Sequence, residues 1–509
     1  MNVIFRRWLD KCKSRIANRL DKSKDTMTFE PEFSASNIHY EVSERTSGIS
    51  YGGIGAIHLL ARRIGLIDAI DNNLHLLKFH MPYHESDHVL NFAYNALCDG
   101  TCLQDIELRR NDENYLDALG TRRIPDPTTA GDFCRRFTLE HIDTFIDIIN
   151  DVRLMVWAQQ PDDFFECAKI DMDGIHVETT GECKEGIDIS GKGLWSYHPL
   201  ALTLANTGEA LSIVNRSGNR PSHEGAAEEA DRAVQLCLQA GFRKIVLRGD
   251  TDFSQTRYLD GWDSDPRIRF FFGYDATPNL KEIADNLPQS AWRPLQRHAR
   301  YSVKTQPRRQ RTNFKEQIVK EREFENKRLV SEDVAEFDYQ PTACGKAYRM
   351  TVVRKNISVE KGEQVLFPDE RYFFYITNER EYTPDQVVFE ANDRCNQENH
   401  IAQLKGAVRA LHAPLDNLES NWAYMLMTAL AWNLKAWWAL TLPEAPGRWQ
   451  EKHRSEKQWV LKLEFKTFLN AFMLLPCQII KTGRKLVYRL LSWNPHLPIF
   501  FRLLDVLRC

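Results

Sequence analysis

No C-x-x-C pair occurs among the eleven cysteines, and the nearest two, Cys98 and Cys102, stand four apart. That spacing offers neither a zinc ribbon nor a redox dithiol, and the odd total argues against a disulfide framework, so reduced thiols in a cytoplasmic protein are expected. Long uninterrupted apolar runs are lacking as well. The longest, Trp422 to Leu440, is broken by Asn433 and Lys435 and reads as a buried helix, not a membrane span. The opening stretch MNVIFRRWLDKCKSRIANRL interleaves Phe5, Trp8 and Leu9 with bases, and no apolar core of signal-peptide length is expected from it. GGIGA at Gly52 to Ala56 lacks the Lys-Ser/Thr of a phosphate loop and reads as a helix start. No internal repeat or low-complexity tract is found. Net charge is scarce too, since 67 Lys+Arg against 70 Asp+Glu leave −3. Taken alone, that weighs against a protein that grips nucleic acid.

The average conceals a segregation. Residues 1–24 carry +6, residues 291–315 carry +8 with no acid at all, and residues 441–509 carry +7. The rest of the 509-residue chain must therefore sum to −24. Basic segments of this kind suit a polyanion, and an acidic remainder suits something else. At 43% hydrophobic and 27% charged, the chain is globular and long enough for about three domains.

Residues 43–155 read as helices, because the apolar positions of IGAIHLLARRIGLIDAI and DHVLNFAYNALCDG recur at three and four. IPDPTTAGDFCRRF opens another, with Thr128 or Thr129 expected at the N-cap and Arg135 and Arg136 on its exposed side as candidate DNA contacts. The period then changes. A strand is expected from Glu166 to Glu178, two more in YHPLALTLA and ALSIVNRS, and then a helix capped near Ser222 that ends before Gly241. KIVLRGD has Ile245, Val246 and Leu247 on consecutive positions, as a central strand covered on both faces would. After RIRFFFGYD come about a hundred residues that read as a basic, β-rich insertion. Within them, AWRPLQRHARYSVKTQPRRQRTNFK sets Trp292, Tyr301 and Phe314 among bases that include Arg308, Arg309 and Arg311, a mixture that suits phosphates and unpaired bases. A helix then starts at Thr383, with Pro384 at N1 and Gln386 at the capping-box position, and is expected to run to about His412. The Trp-rich helix and a basic helical tail follow. Trp432, Trp437 and Trp438 fall at helical spacing and read as core.

Three acidic positions stand out. Asp171 and Asp173 lie two apart on one strand and so share a face, and an acid there must be compensated. Asp250 sits at the carboxyl end of the central strand, where open α/β sheets place ligand sites. Glu398 lies four residues after Arg394 and seven before Lys405, which sets all three on one helical face. Carboxylates drawn together from two strands and a helix repel one another unless cations bridge them. Hard oxygen donors suit Mg2+, or Mn2+ in its place, and two such ions can drive phosphodiester exchange.

The ordered set Asp173-Gly174, LRGDTDF with Asp250, and Arg394-x3-Glu398-x6-Lys405 resembles the DDE transposases of bacterial insertion sequences, the cut-and-paste class with a Tyr-x2-Arg-x3-Glu-x6-Lys signature. Asp-x-Asp on the first strand, YHPL after it and AWNL after the last acid are similar above all to the subgroup conventionally numbered 1380. The resemblance extends from about Gly52 to Leu490. It implies an α/β fold, namely an RNase H-like mixed sheet with a β-rich insertion, flanked by N- and C-terminal helical regions. The implied division is a DNA-end-binding helical region over 1–155, the core over 156–280 and 381–440, the insertion over 281–380 and a basic helical region over 441–509. Asp173, Asp250 and Glu398 would be the catalytic, metal-holding triad for two Mg2+ ions, while Arg394 and Lys405 would contact phosphates near the cleaved end. Asp171 remains an alternative to Asp173, since both face the same way. Two positions depart from the family's pattern: Ala391 stands at the signature tyrosine, with Phe389 nearby, and Asp252 replaces a small residue two after Asp250.

The resemblance further implies double-stranded DNA as partner, both the element's terminal inverted repeats and target DNA. It implies a homodimer on that DNA, a nucleoid-associated cytoplasmic location and no membrane. The rival readings are a stand-alone nuclease on the same core and an inactive DNA-binding repressor.

Overall fold

Amphipathic spacing makes the first third of the chain helical. The structure, a computed structural model, describes residues 3–24, 38–40, 46–80, 82–181, 183–191, 193–297, 314–361, 364–365, 369–483, 485–491 and 493–508. Helix α1 (Val3–Lys24) buries Leu9 and Cys12 and exposes Arg6, Arg7, Lys11, Lys13, Arg15 and Arg19. Helices α2 (Ile54–Arg63), α3 (Leu66–Asn73) and α4 (Glu85–Leu97) follow, α2 starting at GGIGA with Gly53 as its N-cap. In α5 (Pro127–Cys134) the cap is Asp126, not Thr128 or Thr129. Its carboxylate accepts the Thr129 N–H at 2.8 Å, and Pro127 fits the first helical position because its missing N–H would go unused there. The long α6 (Leu139–Trp157) closes this region.

The period-two segments then build a mixed sheet from β1 (Ala168–Gly174), β2 (Leu200–Leu204) and β3 (Glu209–Val214), followed across helix α7 (Ala226–Ala240) by β4 (Ile245–Gly249), and across α8 (Thr256–Asp263) by β5 (Ile268–Tyr274). β1 is shorter than the expected Glu166–Glu178 because, after the Ile175 N–H meets the Pro199 carbonyl at 2.8 Å, Val177 and Glu178 pair with Tyr197 and Ser196 in a separate small sheet. Helix α7 is capped by Gly225 at φ +72°, three residues beyond Ser222. Arg216 causes the delay, since its Nη1 gathers the carbonyls of Pro221, Ser222 and Glu224 and holds 221–224 as a turn. β2 runs antiparallel to β1 and β3, whereas β4 runs parallel to β1 and β5. The resulting order β3-β2-β1-β4-β5 is the RNase H-like arrangement, with β4 buried on both faces as its apolar run requires.

The insertion extends this sheet instead of standing apart from it. Strands β6 (Glu325–Tyr339), β7 (Tyr348–Lys361) and β8 (Asp369–Thr377) form an antiparallel meander, and β8 pairs with β5, Phe374 opposite Tyr274. One ten-stranded sheet results among the described residues.

The helix expected from Thr383 to about His412 is two: α9 (Pro384–Asp393) and α10 (Cys395–Gly406). At the junction the Asn396 side chain takes the Asp393 carbonyl at 3.0 Å, and the Gln397 N–H turns to Arg394 O at 2.7 Å in a tighter turn. Asn and Asp compete with the helical ladder in this way, and here they break it. The capping box at Thr383 is present, with Gln386 Oε1 accepting the Thr383 N–H at 2.8 Å. Helix α11 (Leu418–Leu440) is buried nearly throughout against α4, α6 and β3. Among the described residues, no helix is long and apolar enough to cross a membrane.

The tail departs from the helical expectation. Helix α12 (Gln450–Lys462) is followed by a hairpin of β9 (Cys477–Thr482) and β10 (Lys485–Leu490), and then by α13 (Leu497–Leu507). Gly483, at φ +53°, supplies the turn, and the short strand Gly48–Ile49 before α2 pairs with Cys477 and Gln478, so it shares one sheet with the tail hairpin.

Candidate active site

Alternation along β1 puts Lys169, Asp171 and Asp173 on the face under α9, while Ile170 and Met172 enter the opposite core. The parallel register sets Asp171 opposite Arg248. The two aspartates share a face, as expected, but lie in different layers. Asp171 is fully buried, its two oxygens accepting from Arg248 Nε at 2.6 Å and Nη2 at 2.9 Å. A carboxylate held bidentately inside the core is committed to its arginine, which leaves Asp173 as the β1 acid at the open end of the sheet.

Asp250 follows β4 directly. Its carboxylate accepts the Asp252 N–H at 3.0 Å, so this aspartate caps the turn after β4 as well as standing beside Asp173. The Asp250–Thr251 backbone passes so close to β5 that a Cβ on Gly273 would come within 3.0 Å of the Thr251 nitrogen. Glycine there permits the approach.

Burial pushes the Asp173 carboxyl up. Arg394 pulls it down, Asp250 and Glu398 push it further up, and the balance is about 6. Asp250 is raised as well, by burial first, against the pull of Arg394 and of the Asp252 N–H and with the charges of Asp252 and Asp275 adding to it. Arg394, at the junction of α9 and α10, lies with Nη2 3.8 Å from Asp250 Oδ2 and is the cation that faces both aspartates. Glu398 is exposed on α10 and contributes to the field at Asp173. Among the described residues, no group of three or more His, Cys, Asp or Glu side chains converges tightly enough to hold a metal ion. The three acids thus share one electrostatic field around Arg394 without closing on a single point. Their chemistry fits a divalent cation nonetheless: they are hard oxygen donors, and two are pushed toward protonation by burial and mutual repulsion, which a cation reverses.

Lys405 reaches from the end of α10 to the His176 carbonyl at 3.1 Å and remains exposed beside the loop after β1. Ala391 is buried against Val246, Phe271 and Val387, on the sheet side of α9. Phe389 packs toward Leu295, Val334 and Val353 of the insertion and does not stand in for the missing tyrosine. Ala391→Tyr is therefore expected to destabilise the protein by about 1–3 kcal/mol through overpacking, read as a lower urea midpoint, with no gain in DNA-end affinity. Asp252 is exposed and touches Asp250 through its backbone.

The basic positions fare differently. Arg308, Arg309 and Arg311 lie outside the described residues, as does Tyr301. Phe314 is exposed, but Trp292 is buried beneath the Arg354 guanidinium, 4.3 Å from its ring, and is not free to stack on a base. Arg135 is already held by Asp132 and Asp416, each at 2.9 Å, while Arg136 is exposed. Arg248, Gln397 and Glu390 escaped the sequence reading. An arginine after three apolar residues in IVLRGD was the available signal for the first; the other two carry none.

The chain matches the family described as Transposase DDE domain group 1 over residues 41–508. No curated protein matches it. Among solved structures it is similar to a piggyBac transposase synaptic complex with hairpin DNA, at 9% identity and a TM-score of 0.37, covering 84% of this chain and 83% of that one.

Proposed function

The chain belongs to the DDE transposases of group 1, and from that premise we propose that it cuts at the terminal inverted repeats of its own element and joins the 3′ ends to target DNA. The observation that carries this reading is the pair Asp173 and Asp250, brought to the carboxyl ends of adjacent parallel strands, both raised, and both facing Arg394.

Asp173, Asp250 and Glu398 would hold two Mg2+ ions, with Mn2+ as a substitute. When bound there, such ions polarise the scissile phosphate and activate the attacking water or 3′-hydroxyl. The chain's own side chains position the substrate. Arg394 is only loosely tied to Asp250, so a DNA phosphate can compete for its guanidinium, and Lys405 offers a second charge at the same rim. The exposed bases of α1 and the segment containing Arg308, Arg309 and Arg311 supply sequence-independent grip outside the core, which explains how a chain of net charge −3 binds a polyanion. Two copies, each holding one end, form the working assembly.

The test is a reaction of the purified protein with linear DNA carrying the inverted repeats that bracket its reading frame, in Mg2+. Cleavage at the ends and strand-transfer products are expected. Nicking without transfer points to a nuclease, and end binding without cleavage in Mg2+ or Mn2+ to a repressor; either result overturns the proposal.

A further inference from the structure

Asp173 and Asp250 lie at the ends of neighbouring strands, and one buried side chain joins those strands to the helix that leads into Arg394. Arg248 on β4 is fully buried. Its Nε and Nη2 hold Asp171 on β1, and its Nη1 donates to Glu390 Oε1 at 2.9 Å and lies 3.3 Å from Asp393 Oδ2, both on the last turn of α9. Lys169 closes the far side, its Nζ reaching both oxygens of Glu390 at 2.7 and 2.8 Å. Burial alone would depress the Arg248 guanidinium, yet the hydrogen bonds and charge of Asp171, with Glu390 and Asp393, carry it above the ordinary arginine range.

The positions of these partners matter. Asp171 precedes Asp173 by two residues on β1, Arg248 on β4 stands two before Asp250, and Asp393 adjoins Arg394. The clamp therefore lies one layer beneath the acids on the same sheet face. Gln397 ties the next helix to the same spot, its Nε2 donating to the carbonyls of Asp171 at 2.9 Å and Ala201 at 3.1 Å, with Glu398 the following residue.

We propose that Arg248 is a positioning residue, which sets the spacing of Asp173, Asp250 and the adjoining Arg394 by clamping β1, β4 and α9 together, while Gln397 holds the start of α10 and so Glu398 against the same spot; this rests on the reading of Asp173, Asp250 and Glu398 as the metal-holding set. A planar guanidinium suits the task, because its fork fixes two partners on one edge and reaches a third element with the remaining nitrogen. A lysine ammonium is a point charge and cannot fix direction in this way. Stability alone accounts poorly for the arrangement, since a buried ion pair repays its desolvation barely, and apolar replacements of both partners are commonly neutral or better.

That contrast supplies the test. Arg248→Lys and the double variant Asp171→Leu/Arg248→Met are compared with the parent for urea midpoint, metal-free binding of end DNA, and Mn2+ affinity read from the EPR signal of the free ion. The double variant is expected to unfold near the parent midpoint and to bind ends within about twofold. Both variants are expected to bind Mn2+ about ten- to a hundredfold more weakly, the scale found for residues that orient ligands from behind. Parent-like Mn2+ affinity in the double variant overturns the positioning role, and the double variant decides should Arg248→Lys fail to fold. Asp250→Asn serves as the reference. If it binds Mn2+ as the parent does, the assignment of the acids fails, and the inference fails with it; if it loses Mn2+ while the double variant keeps it, the inference fails alone.

Discussion

Asp250→Ala is expected to lower end cleavage at least about a thousandfold, because a ligand to the ions that stabilise transition-state charge is worth several kcal/mol. Binding to end DNA without metal is expected to hold or tighten slightly, since Arg394 loses the carboxylate 3.8 Å away and becomes free for a phosphate. The alanine also removes the acceptor of the Asp252 N–H, a cap worth about 1 kcal/mol, so local disorder could mimic a chemical defect. Asp250→Asn separates the two, because the amide oxygen keeps the cap while the charge is gone. The same logic applies to Asp173→Asn and to Glu398→Gln, the latter on an exposed helical face where the change disturbs no packing. Timed cleavage of labelled end DNA in Mg2+ is the measurement, and cleavage by Asp250→Asn within tenfold of the parent would sink its assignment.

The parts of this site that were legible are those whose signal is local. The apolar run Ile245–Leu247 marks a covered strand, and the acid at its carboxyl end then falls at the sheet's open edge. Alternation alone placed Asp171 with Asp173 on one face. It could not say which was engaged, because the answer lies in Arg248, 77 residues away in sequence. The spacing of Arg394, Glu398 and Lys405 assumed one straight helix, whereas Asn396 interrupts the backbone ladder and turns Arg394 toward Asp250. Trp292 looked available for stacking because its burial depends on Arg354, across the sheet of the insertion. The tail hairpin was missed through the opposite error: Thr482-Gly483 between IIK and LVY was a turn signal that its basic, apolar surroundings obscured. Charge behaves likewise, since the net value of −3 sums outward-facing bases of α1 with acids that face one another inside the core.

The largest effect on stability is expected at Glu209, far from the chemistry. This carboxylate is fully buried at the start of β3 and accepts from Arg153 Nε at 3.1 Å, Trp157 Nε1 at 3.0 Å, Trp437 Nε1 at 2.8 Å and Thr207 Oγ1 at 2.6 Å. It thereby joins α6, β3 and α11, the elements on which the helical region meets the core sheet. Glu209→Ala leaves a buried guanidinium without its counter-charge and two indole N–H groups without acceptors. Loss of the partner of a buried charge costs about 3–5 kcal/mol, so the urea midpoint read by tryptophan fluorescence should fall sharply. Arg153 cannot easily escape by deprotonation: burial lowers its affinity for the proton, but an arginine starts too high for that to matter near neutral pH. Glu209→Ala combined with Arg153→Met should therefore be more stable than Glu209→Ala alone, because the orphaned charge is gone although the indoles still lack an acceptor. A double variant no more stable than the single would show that the tryptophan hydrogen bonds, and not the ion pair, hold this junction.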